Sequence, residues 1–292
     1  MTRYLTRGEW MAAQEAHARR AAAWVEPHLA RRSAGRAHPV WDFLFDYYRL
    51  RPTHLARWNP GLGTALLDAA DSPVAGRRDH VVDTVGTVRP DTRAFVERRG
   101  PALEEIRVLL TSVSDAHPHF DCFGMHEWAM VYRTPQPRHG LPLRLGERGT
   151  DEVVDMHPVR CTHFDAYRFF TPAARPLNLT VLTRERQAGT DQPGCVHVTM
   201  DLYKWAAKMG PLVPGELLLD CFELAARARR LDMEASPYDC RSLGFGVVAV
   251  ETPEGKAEYV RRQRELAREA APLRDRLVAL LDSLPADMMT SR

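Results

Sequence analysis

Lysine is nearly missing from this chain. Of 40 basic side chains only Lys204, Lys208 and Lys256 are lysines, which leaves 37 arginines against 38 acidic residues. The net charge is only +2, which excludes the broad basic field of a general nucleic-acid binder. Arginine forks nevertheless suit bidentate recognition of carboxylate and phosphate. Long apolar runs are also missing. No stretch of roughly 18 apolar residues exists to span a bilayer, and Met1 to Trp10 carries no apolar signal core. Five cysteines, an odd number without paired spacing, do not form a disulfide framework and fit reduced thiols in the cytosol. A cytoplasmic protein without a membrane partner is expected. No repeat and no break in composition divides the 292 residues, so a single domain over 1–292 is expected.

What is present reads as a mainly α fold with a few short strands. Thr6-Arg-Gly-Glu9 has capping-box spacing and predicts a helix whose inner stripe holds Trp10, Ala13, His17 and Trp24, with His17 as a satisfied core histidine. Trp41 to Leu50 is densely aromatic and reads as a helix enclosed by protein, ended by Arg51-Pro52. Asn59-Pro60-Gly61-Leu-Gly63 reads as a turn, and His80 to Val88 as a strand. Pro90-Asp91 introduces a helix to about Val113, which Gly100-Pro101 should split. Met125 to Arg133 is compatible with a short helix, and Arg138 to Gly149 is turn-rich. A helix opens at Met200, another follows Pro214, and Val247 to Glu251 reads as a strand. Thr252-Pro253 caps a last helix carrying a seam from Tyr259 to Leu284, with a kink at Pro272.

Chemistry-bearing residues are concentrated in two stretches. Six of the twelve histidines lie between His117 and His163, together with Cys122 and Cys161. Groups that ionise, ligate metals and stack on flat rings are what a reactive site requires, so Cys122–Arg133 and Arg160–Thr171 are expected to line one pocket. Glu127 beside Trp128 is a carboxyl group against an aromatic face, where desolvation raises a pKa, and His126 adjoins it. His163 and Asp165 flank Phe164 and, if extended, point to one side, so that Asp165 would orient His163. Arg160 and Arg168 offer forks for an anionic group. Asp201, Lys204 and Trp205 share one helical face, which suits either a substrate or a solvated helix end. As metal donors, His119, Cys122, His126, His157, Cys161 and His163 suit zinc or iron, although their spacing matches no defined zinc motif. His157-Pro-Val-Arg-Cys161 also has a spacing that could suit a haem iron.

Long segments resemble a group of bacterial proteins commonly labelled 3-methyladenine DNA glycosylase. These are His38-Pro-Val-Trp-Asp-Phe-Leu-Phe, Cys122 through Arg133, Arg160 through Pro176, and Gln192 through Ala206. Asp232 through Asp239 and Glu251 through Gly255 continue the likeness. The resemblance implies hydrolysis of the N-glycosidic bond of an alkylated purine, with alkylated DNA as partner and no cofactor. Glu127 or Asp165 would then stabilise charge on the sugar, and Trp128, Tyr167 or Phe169 would form the stacking wall.

The residues themselves support a second expectation, a metal-dependent oxidoreductase or oxygenase with non-haem iron or haem that acts on a small amino acid or metabolite. A third is a non-catalytic protein whose aromatic pocket holds a flat ligand.

Overall fold

The computed structural model describes residues 2–284; Met1 and residues 285–292 lie outside it. Among the described residues there are eleven α-helices and one four-stranded sheet, a mainly α fold as the apolar stripes predict. The backbone divides into two compact units. One comprises the chain through Leu110, Leu202–Glu223 and the chain from Leu273 onward; the other comprises Thr111–Asp201 and Leu224–Pro272.

The first unit opens with β1 (Arg3–Leu5) and α1 (Arg7–Ser33). Thr6 and Glu9 form the predicted capping box, so two otherwise orphaned backbone donors are satisfied at the start of α1. Trp10, His17, Ala21, Val25 and His28 make its buried stripe. His17 is a core histidine whose Nε2 lies 2.8 Å from the Leu55 carbonyl. Trp24 sits at the edge of this stripe, against Trp41 at 5.6 Å and Phe222 at 5.4 Å.

The aromatic segment after it corrects the sequence reading. Only α2 (Phe43–Asp46) is helical there, because Asp42 ties the chain locally: it accepts from the His38 amide at 2.7 Å and pairs with His28 and Arg31. The chain continues through α3 (Pro52–Ala56) and β2 (Thr64–Leu66). The strand expected over 80–88 is a hairpin, β3 (His80–Val82) and β4 (Val88–Pro90), because the Asp83 carboxylate accepts from the Val85 and Thr87 amides and closes a turn. Sheet order is β1-β2-β4-β3, with β1 parallel to β2 and the other pairs antiparallel. Leu5, Trp10, Trp58, Leu66, Val74 and Val88 form the core on which this sheet rests.

α4 (Thr92–Asp115) runs unbroken through Pro101, and Phe95, Leu103, Ile106 and Leu110 are buried along it as predicted. The turn at Asn59–Gly63 is tight. Gly61 has φ 82°, and a Cβ there would meet Pro214 at 2.6 Å, so both conformation and space require glycine.

The second unit carries α5 (Met125–Ala129), α6 (Gly146–Met156), α7 (Phe164–Tyr167) and α8 (Gln187–Thr190). α6 occupies part of the segment read as turns. α9 (Val196–Lys208) begins four residues earlier than the sequence indicates. α10 (Gly215–Ala235) buries the expected Leu217, Cys221, Leu224, Ala225, Ala228 and Leu231. Val247–Glu251 is not a strand; it follows a loop path in which the Val248 amide donates to the Glu234 carbonyl at 2.8 Å. α11 (Pro253–Asp282) continues through Pro272, with Tyr259, Gln263, Leu266, Ala270 and Leu277 buried along its seam.

Candidate functional site

The second unit converges its polar side chains on one buried region. Gly124, at φ 73°, turns the chain into α5 and places His126, Glu127 and Trp128 inside. The first turns of α9 present His197 and Asp201, four residues apart and on one face. α10 presents Arg229 and Asp232, three apart. His163 precedes α7 and Asp165 lies in it, while Gln187 and Asp191 come from α8 and the residue after it. All of these side chains are buried.

Three imidazoles form a row. His126 meets His197 edge-on with ring centres 4.4 Å apart, and His163 lies nearly parallel to His197 at 5.4 Å. His126 Nε2 is 2.6 Å from Asp232 Oδ1, and its Nδ1 is 3.5 Å from Cys122 Sγ. Burial disfavours charge on His126, but the Asp232 carboxylate outweighs it and holds the imidazole pKa well above its ordinary value. Burial likewise opposes ionisation of Asp232, yet His126 and the Arg229 guanidinium bring its pKa down to about 2. His197 is the opposite case. Burial first, then the neighbouring His126 and His163, push its pKa well below the ordinary value. It is therefore neutral, and its Nδ1 is buried without a hydrogen-bond partner. A buried ring nitrogen left unpaired is costly, whether it carries the proton or the lone pair.

The outer contacts fix the orientation of this row. His163 Nδ1 is 2.9 Å from Asp191 Oδ1, and Gln187 Nε2 donates to Asp191 Oδ2 at 2.8 Å. His163 Nε2 is then directed toward Asp201, 3.9 Å from Oδ2. A carboxylate on one ring nitrogen leaves the other available, the arrangement that orients metal-ligating histidines. Arg229, fully buried, donates to Glu127 Oε1 at 2.8 Å and to Asp232 Oδ2 at 2.6 Å.

Two groups have the geometry of a metal site: His126, His197 and Asp232, and His163, Asp165 and Asp201. In each, one donor atom per residue lies within 4.8 Å of the other two. Ligands 2.0–2.2 Å from a common ion are about 3–4.4 Å apart, so small side-chain shifts would close either set. Five carboxylates, Glu127, Asp165, Asp191, Asp201 and Asp232, are buried in this region. Arg229 compensates part of that charge from inside, while the more exposed Arg168 and Arg184 reach Asp165. Beside His126 is a cavity of about 10 Å³ lined by Cys122, Cys161, Cys195, Tyr259 and Gln263, room for about one water. Burial pushes the Cys161 and Cys195 thiols well up, so both are protonated.

His126, His163, Asp165 and Asp201 are thus brought together as the sequence anticipates, but several roles change. Asp191 contacts His163 Nδ1, and His163 precedes a helical turn rather than lying in a strand. Glu127 is ion-paired to Arg229 instead of resting bare against the indole. Trp128 is wholly buried, its Nε1 donating to the Ala235 carbonyl at 2.9 Å, so its ring is no open wall. Tyr167 is buried, and Phe169 is flanked by the guanidinium groups of Arg138 and Arg168 at 3.9 and 4.4 Å. Arg160 pairs with Asp121 at 2.7 Å on the surface. The Lys204 ammonium lies 4.2 Å from the centre of the Trp205 ring.

Of the predicted metal donors, His126 and His163 fall in the two groups, whereas His119, Cys122, His157 and Cys161 fall in neither. His119 is exposed, and its backbone is held at both N–H and C=O by the Gln192 side chain. His157 Nδ1 is 2.7 Å from the Val153 carbonyl. The Cys161 thiol donates to the His163 carbonyl at 3.4 Å.

Sequence reasoning assigned no role to His197, Asp191, Arg229 or Asp232. A signal for three of them was present: His197, Arg229 and Asp232 interrupt apolar helical stretches with groups that are rarely buried unless paired. Comparison of the chain with protein-family models, curated proteins and solved structures gave no match.

Proposed function

We propose that this protein is a metal-dependent oxidoreductase that acts on a small molecule, with iron(II) as the resident ion. The observation that carries the reading is the buried set His126, His197 and Asp232, whose donor atoms already lie within 4.8 Å of one another. Two histidines and one carboxylate are the donor set of non-haem iron oxygenases. The buried His197 Nδ1, which has no hydrogen-bond partner, adds to this, since a neutral imidazole can ligate through the nitrogen that carries no proton. His163, Asp165 and Asp201 offer a second set beside the first, bringing oxygen donors that suit a harder ion.

When bound, the metal supplies open coordination positions and Lewis acidity. The chain's own residues do the rest. Arg229 pairs with both Glu127 and Asp232, offsets part of their charge and holds Asp232 in place. Asp191, steadied by Gln187, fixes which nitrogen of His163 faces Asp201. The protonated thiols of Cys161 and Cys195 line the small cavity. That cavity is far below the roughly 300–1,000 Å³ of drug-sized ligand pockets, so the site as folded favours a small reactant over an extruded purine.

Metal analysis of the purified protein, with iron(II) reconstitution under anaerobic conditions, tests the reading. Stoichiometric iron that is lost in His197→Ala is expected. Metal-free protein that releases base from alkylated DNA in the presence of a chelator would overturn it and favour the glycosylase reading.

A further inference from the structure

The first unit contains a cleft of about 760 Å³. Three arginines line it: Arg57, just beyond α3, and Arg77 and Arg78, from the loop before β3. Arg57 and Arg78 are exposed, and neither guanidinium makes a hydrogen bond or ion pair among the described residues. Arg77 is held by one contact, its Nη1 donating to the Trp58 carbonyl, which orients the guanidinium without neutralising it. The cleft's carboxylate, Asp79, is already engaged by Arg98. Its two histidines contribute little charge. Burial lowers the pKa of His54, and that of His80 to about 4. The Asn59 side-chain amide donates to the Gly210 and Val213 carbonyls, so its oxygen faces His80 Nε2 at 2.9 Å and assigns the ring proton there. Ala206, Pro211, Val213 and Leu218 supply an apolar wall.

We infer that this cleft binds a small phosphate monoester, with the phosphate on Arg57, Arg77 and Arg78 and the organic part against the apolar wall. Three like charges around one opening repel each other, and Arg57 lies close enough to help burial lower the pKa of Arg77. A bound dianion removes that repulsion. A monoester carries nearly two negative charges near neutral pH and several acceptor oxygens for guanidinium forks. A lone carboxylate would compensate one arginine and leave the others uncompensated. A long polyanion would need a basic track beyond the cleft, which a chain of net charge +2 does not favour. The volume also suits a mononucleotide-sized ligand. This inference is independent of the metal reading, because it uses none of the metal-site residues.

Isothermal titration of the full chain with inorganic phosphate, adenosine 5′-monophosphate, adenosine and a single-stranded oligonucleotide tests it. The monophosphate is expected to bind about tenfold or more tightly than adenosine, through charge-assisted bonds that the nucleoside lacks. The double variant Arg57→Glu with Arg78→Glu should lose about tenfold or more of that affinity while unfolding at the same temperature, since both side chains are exposed. Absence of binding by either phosphate probe, binding unchanged in the variant, or binding confined to the oligonucleotide would each overturn the inference.

Discussion

The chain holds two clusters of charged and ring-bearing side chains that solve opposite problems. In the second unit, five carboxylates and three histidines are withdrawn from water, with Arg229 holding Glu127 and Asp232, and Asp191 holding His163. In the first unit, the guanidinium groups of Arg57 and Arg78 stand at an open cleft with no hydrogen bond or ion pair among the described residues. Burying charge costs several kcal/mol per ion unless it is compensated. The inner cluster is therefore strongly coupled to folding, and the outer one hardly at all. Positions in the first should tolerate almost nothing, whereas the second can be rewritten at little cost in stability.

The largest difference should come from Arg229→Met. It strands Glu127 as a buried charge and leaves Asp232 with His126 as its partner, and urea unfolding should show a loss of about 3–5 kcal/mol. A loss below about 1 kcal/mol would mean that these carboxylates find water or another cation, and the contrast between the units would weaken.

A smaller effect should appear with pH. His80 is neutral in the fold, with its pKa lowered to about 4, whereas the unfolded histidine takes up a proton near pH 6.5. The unfolded state binds more protons between these values, so stability should fall as pH drops from about 6.5 toward 4, by at most about 3 kcal/mol for this group. His80→Gln should flatten part of that slope. An unchanged slope would assign the acid sensitivity to other histidines, such as buried His17, whose pKa is also lowered by burial.

The smallest effect should be that of Arg57→Met, within about 0.5 kcal/mol of the parent, because no contact is lost. A larger loss would show that the outer cluster is structural.

In both units, what the sequence discloses depends on how far along the chain the controlling contact lies. Helix starts set by local chemistry were legible: the Thr6–Glu9 box and the Thr252-Pro253 cap lie within one turn of what they control. Features set by distant contacts were not. α6 begins in a polar stretch whose apolar positions, Val153 and Val154, come only near its end. The run 80–88 has strand composition throughout, and only the Asp83 carboxylate reveals the turn within it. At the site, His126 and His163 stood out because unusual residues crowd around them in sequence. Asp232 partners His126 from 106 residues away, and Asp191 holds His163 from 28. No local pattern records such a meeting. The arginine cleft was hidden for a different reason: arginine is so common here that three more carried no signal until the fold placed them around one opening.

The measurement that bears most directly on the central claim is metal content by plasma mass spectrometry, on the parent protein and on His197→Ala and Arg57→Glu prepared in parallel. The account predicts about one iron or more per chain in the parent and in Arg57→Glu. It predicts a fall of about tenfold or more in His197→Ala, in which the ligand is lost but the Arg229 pairs remain. Equal metal in all three folded proteins, or none in the parent after anaerobic reconstitution with iron(II), would contradict it.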